Sequence, residues 1–331
     1  MMEKLYCYIE KSNNPYHNLA IEEYLLDNVP EKSCILYLWQ NRHTVVIGRN
    51  QNCWKECKVE ELRSDGGFLA RRLSGGGAVY HDMGNLNFTF LVNTEDYNLE
   101  KQLEVIIKAV GKLGIVAIKS GRNDILADGR KFSGNAFYTS GGKSYHHGTI
   151  LVNVDTSALS KYLNVDPSKL KSKGVGSVRS RIANLTEFKP EVTIEAVRHE
   201  LIDAFGEVYG FKPEMLKDEM FDENIVETLK DNFASWDWLY GKKLEFTTCF
   251  SHRFAWGDAD MRLLIEGGRV KEAQLYSDAM DESLISQVPL WLKGSEFSPA
   301  AMIERLEGKV YEPEDEEIIE DIRWLITQQF I

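Results

Sequence analysis

The sequence predicts an α+β protein with two domains, and three observations support this prediction. The chain has 331 residues, which is more than a single domain usually contains. Segments with helical spacing and β-prone runs are interspersed up to about residue 245. Beyond that point the pattern changes to short strand-like pieces followed by helices. We therefore expect a main domain over residues 1–245 and a small α+β domain over residues 246–331.

Hydrophobic periodicity predicts the elements of both domains. Apolar residues recur at helical spacing in residues 18–26, 99–113, 194–209 and 222–236. In the main domain, β-prone runs predict strands at residues 35–39, 44–48, 85–92 and 146–154. In the small domain, they predict strands at residues 244–250, 261–265 and 273–275.

Composition is typical of a soluble globular protein, with 43% hydrophobic and 27% charged residues. The first residues lack the apolar core of a signal peptide, and no run reaches the roughly 18 apolar residues of a membrane span. The net charge of −12 argues against nucleic acid as the main partner. We expect a cytoplasmic monomer that binds neither membranes nor nucleic acid.

The five cysteines do not form a metal or redox motif. Their number is odd, and the closest pair, Cys53 and Cys57, is separated by three residues. Zinc and redox sites favour Cys-x-x-Cys pairs or a nearby histidine. We therefore predict reduced structural thiols.

Basic residues are concentrated in the middle of the chain. Residues 119–181 contain eleven Lys or Arg against four Asp, a net charge of +7 that leaves −19 for the remainder. This segment could form a docking face for an acidic partner. A lysine-rich solvated surface accounts equally well for residues 161–173.

Residues 71–82, RRLSGGGAVYHD, combine three consecutive glycines with two arginines. Each glycine costs roughly 0.5–1 kcal/mol of backbone entropy in a helix or strand, so such a run marks a turn or a close backbone approach. Backbone amides beside Arg71, Arg72 and Ser74 suit phosphate or carboxylate oxygens. A glycine-rich hairpin beside surface arginines would explain the same residues. The loop matches neither a P-loop nor a dinucleotide fingerprint, and the alternating run that follows places it in a sheet.

Residues 121–136 predict a hairpin that carries reactive groups. Asp128-Gly129 is a preferred type I′ turn. Counting from this turn, Leu126 faces Lys131 and Asp124 faces Ser133, so these four residues share one face. Lys131 and Asp124 are then diagonal neighbours within reach of each other. A solvent-facing hairpin with a weak ion pair is the alternative.

His146 and His147 stand at the entry of the next predicted strand. Adjacent strand residues point to opposite faces, so these two histidines cannot easily share a metal ion. We predict that one histidine faces a site and the other faces solvent.

Four separated segments match one family in the same order. They are WQNRHTVVIGRNQ (39–51), RRLSGGGAVYHD (71–82), GRND with RKFSG (121–124 and 130–134) and HHGT (146–149), and SVRSR (177–181) also fits. Over nearly its whole length the chain resembles the bacterial lipoate–protein ligases, and its tail resembles their accessory domain. One such segment would be suggestive, whereas four in order are highly specific.

This resemblance implies a fold and a reaction. The implied main domain has the biotin/lipoate protein ligase catalytic fold, a mixed sheet with flanking helices related to class II aminoacyl-tRNA synthetases. The implied enzyme uses ATP and Mg²⁺ to convert lipoate to lipoyl-AMP and then transfers the lipoyl group to one lysine of an acceptor protein. The implied acceptors are lipoyl domains of 2-oxoacid dehydrogenase E2 subunits and the glycine-cleavage H protein.

The matching positions imply the site residues. Lys131 would bridge the lipoate carboxylate and the α-phosphate, two anions that repel each other. Asp124 would either place Mg²⁺ or accept a proton from the incoming lysine. The adenylate would contact Arg72, Gly75, Gly76, Gly77, Ala78, Val79, Tyr80, Asn123, Lys131, Ser133, Gly134 and Arg179. Lipoate would contact Leu19, Ala20, Ile21, Val46, Arg72, Ser74, Gly77, His81, Asn85, Lys131, His147 and Gly148.

The resemblance has two further implications, an apolar slot and a lid. Leu19, Ala20, Ile21 and Val46 could line an apolar slot for lipoate, although core packing is the commoner role of such residues. Residues 174–181 would close over the adenylate and protect it from water.

Three other functions compete with the ligase hypothesis. An octanoyl or lipoyl transferase on the same fold would need no ATP but would need a cysteine nucleophile, and all five cysteines lie outside the glycine, hairpin and histidine segments. A biotin ligase would need a Gly-Arg-Gly-Arg-x-Gly-Arg loop, which is missing. A catalytically silent binder of acylated lipoyl domains is the third, and the presence of Lys131 with the complete glycine loop argues against it.

Overall fold

The computed structural model describes residues 2–121, 123–164, 182–241, 246–309 and 313–330. The chain divides into two compact units. The first unit contains Met1–Val46, Glu56–Arg71 and Val79–Leu239. The second unit contains Ile47–Lys55, Arg72–Ala78 and Tyr240–Ile331. Two short segments from the first third of the chain therefore belong to the second unit. The division at residues 245/246 stays a prediction, since residues 242–245 lie outside the described part.

An eight-stranded mixed sheet forms the centre of the first unit. Its strands are β1 (Lys4–Ile9), β2 (Ser33–Trp39), β6 (Asn85–Asn93), β7 (Ala117–Ser120), β8 (Asp124–Ala127), β9 (Arg130–Ser140), β10 (Lys143–Leu151) and β11 (Glu214–Met215). Their order is β11-β1-β2-β6-β10-β9-β8-β7. β1 pairs in parallel with both of its neighbours. All other neighbouring strands in this order pair antiparallel. A small sheet, in the order β4-β3-β5, contains β3 (Thr44–Ile47), β4 (Phe68–Arg71) and β5 (Val79–His81).

The described helices up to residue 240 include the four that periodicity predicts and five shorter ones that it does not. They are α1 (Pro15–Asp27), α2 (Cys53–Glu56), α3 (Val59–Ser64), α4 (Leu99–Lys112), α5 (Thr156–Tyr162), α6 (Leu185–Phe188), α7 (Ile194–Tyr209), α8 (Glu223–Ala234) and α9 (Trp236–Tyr240), with 3₁₀ turns at Thr94–Asp96 and Asp218–Met220. α1 begins three residues before the predicted start because the Asn14 side chain accepts hydrogen bonds from the amides of Tyr16 and His17. α4 ends before Gly114, whose φ of +78° suits a helix terminus.

The two faces of the large sheet are covered differently. One face packs against α4 and α7 through a buried apolar cluster that includes Phe88, Phe132 and Phe205. The other face carries polar side chains that contact α1, among them Thr89 and His147. Because strand side chains alternate between faces, β6 contributes phenylalanines to the core and Asn or Thr to the opposite face.

The second unit has its own apolar core. It contains the antiparallel strands β12 (Thr248–Arg253), β13 (Asp258–Glu266) and β14 (Arg269–Tyr276), and the helices α10 (Glu282–Leu292), α11 (Pro299–Glu304) and α12 (Pro313–Gln328). Met261, Ile285 and Ile322 are among its fully buried side chains. This part has the predicted α+β composition.

Two further expectations concern the chain as a whole. Within the residues that the structure describes, no helix is long and apolar enough to cross a membrane. The five cysteines form no disulfide within the described residues, and four are buried whereas Cys249 is exposed. Burial raises the pKa of Cys7 to about 12, so this thiol stays protonated and unreactive at neutral pH.

Candidate active site

The predicted hairpin is present between β8 and β9. Asp128 has a φ of +48° and Gly129 a φ of +72°, which are the left-handed conformations that a type I′ turn requires. Leu126 pairs with Lys131 as predicted. The turn residues therefore set the position of Lys131 on the sheet.

Beyond Lys131 the predicted register is wrong. A register shift between Ile125 and Leu126 pairs Asp124 with Gly134 and Ile125 with Ser133. This irregularity places one extra residue of β9 opposite β8, as a β-bulge does. Ser133 is fully buried opposite the core residue Ile125, so its hydroxyl does not share the face of Lys131. The prediction that Asp124 faces Ser133 and shares a face with it is corrected accordingly.

Lys131 and Asp124 nevertheless meet. The Lys131 Nζ atom lies 2.6 Å from Asp124 Oδ1, and the two side chains are 34% and 36% exposed. The Lys131 side chain passes over Gly134, where an added Cβ would lie 2.9 Å from both Cε and Nζ. The absence of a side chain at Gly134 thus makes room for the lysine in this orientation.

His146 and His147 are both buried, so the prediction that one of them faces solvent is wrong. They do point to opposite faces of the sheet. His147 Nδ1 lies 2.9 Å from Glu22 Oε1, and the same carboxylate oxygen accepts a hydrogen bond of 2.7 Å from the Thr89 hydroxyl. His146 lies on the core face between aromatic rings.

Gly148 has a packing role. An added Cβ at this position would lie 2.6 Å from both the Gly134 carbonyl oxygen and the Phe88 ring. Only glycine therefore allows β9, β10 and β6 to approach as they do.

Several predicted lipoate contacts lie in a buried amide cluster beside α1. Asn41 Nδ2 lies 3.2 Å from His81 Nδ1, and Asn18 donates to Asn41 Oδ1 at 2.9 Å. Asn85 donates to Asn87 Oδ1 at 2.9 Å. Leu19, Ala20, Ile21 and Val46 are buried as well. Their packing role is therefore evident, and contact with lipoate stays a prediction.

Tyr80 belongs to an aromatic group in the first unit. Its hydroxyl lies 2.8 Å from His43 Nδ1, and its ring stacks on Tyr162 at 5.7 Å. Val79 precedes it in β5 and pairs with Val46. Arg179 lies outside the described residues, as does the proposed lid at residues 174–181.

The glycine loop between β4 and β5 lies in the second unit. The Arg72 guanidinium is buried and donates to the carbonyl oxygens of Gly75 at 2.7 Å and Gly77 at 2.8 Å, and to the Ser74 hydroxyl at 3.1 Å. In this conformation the Arg72 donors therefore support the loop itself. Arg71 differs, since it donates to the carbonyl oxygens of Trp238 and Leu239 in the first unit.

The loop also contacts the connection between β14 and α10 within the second unit. The Gly76 amide donates to the Ala279 carbonyl oxygen at 2.9 Å. A Cβ on Gly75 would lie 2.4 Å from that same oxygen. Glycine is therefore required at position 75 for this close backbone contact. In this conformation the Gly76 N–H is bonded to the Ala279 carbonyl oxygen.

Glu282 should make stability depend on pH. This residue begins α10, and burial raises its pKa to about 7. The folded protein therefore holds this proton over a pH range in which the unfolded chain has released it, so the contribution of Glu282 to stability is greatest below about pH 4.5 and falls as the pH rises towards 7. We expect Glu282→Gln to raise the free energy of unfolding at pH 8 by about 1–2 kcal/mol after allowance for solvent. Denaturant titrations at pH 5 and pH 8 measure this change. The exposed Glu304→Gln serves as control, and an equal response of both variants would contradict the assignment.

Sequence reasoning missed Glu22, Gln102 and Asn135, which are buried polar residues close to the candidate site. A partial signal existed for Glu22, because it stands at an apolar-face position of the predicted helix 18–26. Gln102 gives the same partial signal, because it stands on the apolar face of the predicted helix 99–113. Asn135 gives none.

Comparison with known proteins defines the class of this fold. The family described as "Lipoyl protein ligase A/B catalytic domain" matches residues 14–206, and "Bacterial lipoate protein ligase C-terminus" matches residues 243–322. The lipoate-protein ligase A of Psychrobacter cryohalolentis is 43% identical over 280 residues, which cover 82% of this chain and 83% of the relative. The chain belongs to the lipoate–protein ligase family, and it is a ligase enzyme.

Solved structures agree with this family. Plasmodium falciparum LipL1 in complex with lipoate covers 98% of this chain and 99% of its own, at 29% identity and a TM-score of 0.84. A lipoate-protein ligase A bound with ATP covers 73% of this chain and 99% of its own, at 27% identity and a TM-score of 0.62. These findings confirm the predicted fold and support ligation over the transferase and the silent binder.

Proposed function

We propose that this enzyme joins lipoate to ATP, forming lipoyl-AMP and pyrophosphate, and then transfers the lipoyl group to a lysine of a lipoyl domain or H protein. The observation that carries this proposal is the partly exposed Lys131 ammonium, held 2.6 Å from Asp124 above a residue without a side chain. A fixed cation on a partly open face suits a reaction that brings two anions together.

In the first step, a lipoate carboxylate oxygen attacks the α-phosphorus and pyrophosphate leaves. Lys131 is suited to hold the carboxylate beside the α-phosphate and to offset the charge that builds on the phosphate oxygens. In the second step, the acceptor amine attacks the acyl carbon and AMP leaves. The same ammonium then polarises the acyl carbonyl, because its flexible stem can follow the reacting group.

Asp124 has two possible roles. Mg²⁺ is usually bound by one or two carboxylates together with substrate phosphates, and Asp124 offers one such carboxylate, so its chemistry fits. The ion would neutralise phosphate charge when bound. Alternatively, Asp124 accepts the proton that the acceptor lysine loses, a role that its contact with Lys131 supports.

The remaining site assignments are proposals that rest on family membership. Lipoate contacts are proposed for Leu19, Ile21, Val46, Arg72, Ser74, Gly77, His81, Asn85, His147 and Gly148. Adenylate contacts are proposed for Arg72, Gly75, Gly76, Gly77, Ala78, Val79, Tyr80, Asn123, Gly134 and Arg179. A cytoplasmic location and a monomeric state are likewise proposals.

The acceptor domain is proposed to dock at β7, the last strand of the large sheet among the described residues. Ile118 is 59% exposed on this strand and pairs with Leu126, which pairs with Lys131. Paired residues share a face, and neighbouring strands lie about 4.8 Å apart, so Ile118 stands about 10 Å from Lys131 in the same row. A cavity of about 440 Å³ adjoins this row and is lined by Ile115, Val116, Ile118, Leu126, Ala127 and Phe188.

Three cations of the basic segment have acidic partners among the described residues. Lys119 pairs with Glu100, Arg130 with Glu187 and Lys161 with Asp65. These cations are therefore largely neutralised by neighbouring acids. An apolar contact at the edge strand is the stronger basis for docking, and the role of the basic segment stays a prediction.

We expect Ile118→Asn to raise the KM for a lipoyl domain about tenfold, because it removes an exposed apolar contact of the docked partner. Pyrophosphate exchange, which needs no acceptor, should keep its wild-type rate. Met215→Asn is the matched control, since Met215 is 51% exposed on β11 at the opposite edge of the sheet. An unchanged KM in Ile118→Asn would exclude this docking surface.

The proposed function is tested by lipoate-dependent exchange of labelled pyrophosphate into ATP, followed by lipoylation of a purified lipoyl domain. We expect both activities from the wild-type enzyme with Mg²⁺. A transferase would modify the domain from an acyl carrier without ATP, and a silent binder would show neither activity. Either of those results would overturn the proposal.

A further inference from the structure

A row of buried neutral polar side chains runs through the core face of the first unit. It starts on α4 at Gln102, continues through His146 on β10 and reaches Asn135 on β9. His146 Nδ1 lies 3.2 Å from Gln102 Oε1, and His146 Nε2 lies 2.8 Å from Asn135 Oδ1. Gln102 and His146 are fully buried and Asn135 is 4% exposed. Buried polar groups are costly unless they are paired, so this row needs an explanation.

The row ends beside Asp124. The Asn135 backbone amide donates to the Asn123 carbonyl oxygen at 2.9 Å, and Asn135 Nδ2 donates to the same oxygen at 3.0 Å. Asn123 Nδ2 donates in return to the Asn135 carbonyl oxygen at 3.3 Å. Three hydrogen bonds thus fix Asn123, the residue immediately before Asp124 at the start of β8.

The hydrogen bonds determine which His146 nitrogen carries the proton. Burial lowers the pKa of His146 to about 3, so the ring is neutral and has one N–H. Asn135 uses its NH₂ group on Asn123, so its Oδ1 must accept from His146 Nε2–H. Nδ1 then has no proton to donate to Gln102 Oε1, so a hydrogen bond between these two side chains requires the opposite orientation of the Gln102 amide, with its NH₂ group towards Nδ1.

We propose that Gln102, His146 and Asn135 are positioning residues for the adenylation step, which hold Asn123 so that the Asp124 carboxylate meets Lys131. The proposal rests on the roles proposed above for Lys131 and Asp124. The surroundings of His146 favour such a role, because its ring packs against Phe88, Phe90 and Phe137. An apolar residue would serve packing alone at least as well, whereas the polar row also connects His146 to Asn123 through the Asn135 side chain.

The test compares the apolar His146→Leu with the conservative His146→Gln, which can offer an amide N–H towards Asn135. We expect His146→Leu to lower kcat for lipoate-dependent pyrophosphate exchange about 30-fold while the KM values for lipoate and ATP stay within about twofold. His146→Gln should recover to within about threefold of wild type. Gln102→Ala, at the far end of the row, should lose about fivefold and provides a milder variant should His146→Leu not fold.

Ser144→Ala is the matched control for stability. Ser144 is buried on β10, and its hydroxyl contacts Thr94 at 2.9 Å and Thr139 at 2.8 Å, away from Asp124. It should lower the melting temperature and leave kcat unchanged. Folded His146→Leu and Gln102→Ala variants that both retain wild-type kcat would overturn the proposal. So would a kcat loss in Ser144→Ala as large as that in the row variants.

A double-mutant cycle separates this proposal from the roles on which it rests. In an Asp124→Ala background, His146→Leu should cause no further loss of kcat, because the row acts through Asp124. Fully additive losses would show that the row acts elsewhere. Wild-type exchange by Asp124→Ala and Lys131→Ala themselves would refute the proposed site, independently of the row.

Discussion

Lys131→Ala is expected to lower the rate of lipoate-dependent pyrophosphate exchange roughly 10³-fold, because it removes the cation that offsets charge in the transition state. The KM for ATP should change much less than kcat, since the ammonium acts mainly as charge develops. Lys131→Arg should also be strongly impaired, roughly 10²-fold, because a planar guanidinium cannot bridge the two anions as a flexible ammonium does. Exchange of labelled pyrophosphate, measured at saturating lipoate and ATP, gives these rates directly.

Loss of folding would not explain such a result. The contact between Lys131 and Asp124 is about one-third exposed on each side, and pairs of this kind contribute at most about 1 kcal/mol. Lys119→Ala is the control, because Lys119 lies on β7 of the same sheet and pairs with Glu100 in a comparable exposed contact. Lys119→Ala should exchange at the wild-type rate. Exchange by Lys131→Ala above a tenth of the wild-type rate would rule out the proposed central role.

The sequence predicted those parts of the site that depend on neighbouring residues. A type I′ turn requires positive φ angles at both central residues, and Asp128 and Gly129 adopt them. This local geometry aligns Leu126 with Lys131. Periodicity likewise predicted α7 at its observed limits. Such features follow from backbone preferences within a few residues, so no knowledge of the tertiary structure was needed.

The bulge and the buried polar contacts could not be predicted in this way. The register shift in β9 places Phe132 in the core, and the gain from burying that ring depends on α4 and α7, which are distant in sequence. Glu22 reaches Thr89 and His147 only because α1 packs across β6 and β10. A single sequence carries little information about such long-range pairings.

Gly134→Ala is expected to lower adenylation roughly 10²-fold with little change in stability. The φ angle of Gly134 is not among the positive values that disfavour other residues, so the backbone can accept alanine. The new methyl group would lie 2.9 Å from both Cε and Nζ of Lys131, closer than van der Waals contact allows. The end of a lysine side chain moves easily, so the protein should fold while the ammonium leaves its position beside Asp124. Misplacement of a catalytic group by about 1 Å can cost this much in rate.

Two comparisons distinguish this effect from a general intolerance of added bulk. Gly111→Ala adds a methyl group on α4 where no described atom lies within 4 Å apart from the chain neighbours and the helix's own backbone, so it should keep full exchange activity and gain helix stability. In a Lys131→Ala background, Gly134→Ala should cause no further loss, because the methyl group then has no ammonium to displace. Gly134→Ala alone with wild-type exchange would show that Lys131 acts from a different orientation. A further loss in the double variant would instead assign Gly134 its own contact with the adenylate. These measurements therefore test the position of Lys131 relative to Gly134, and not the lysine alone.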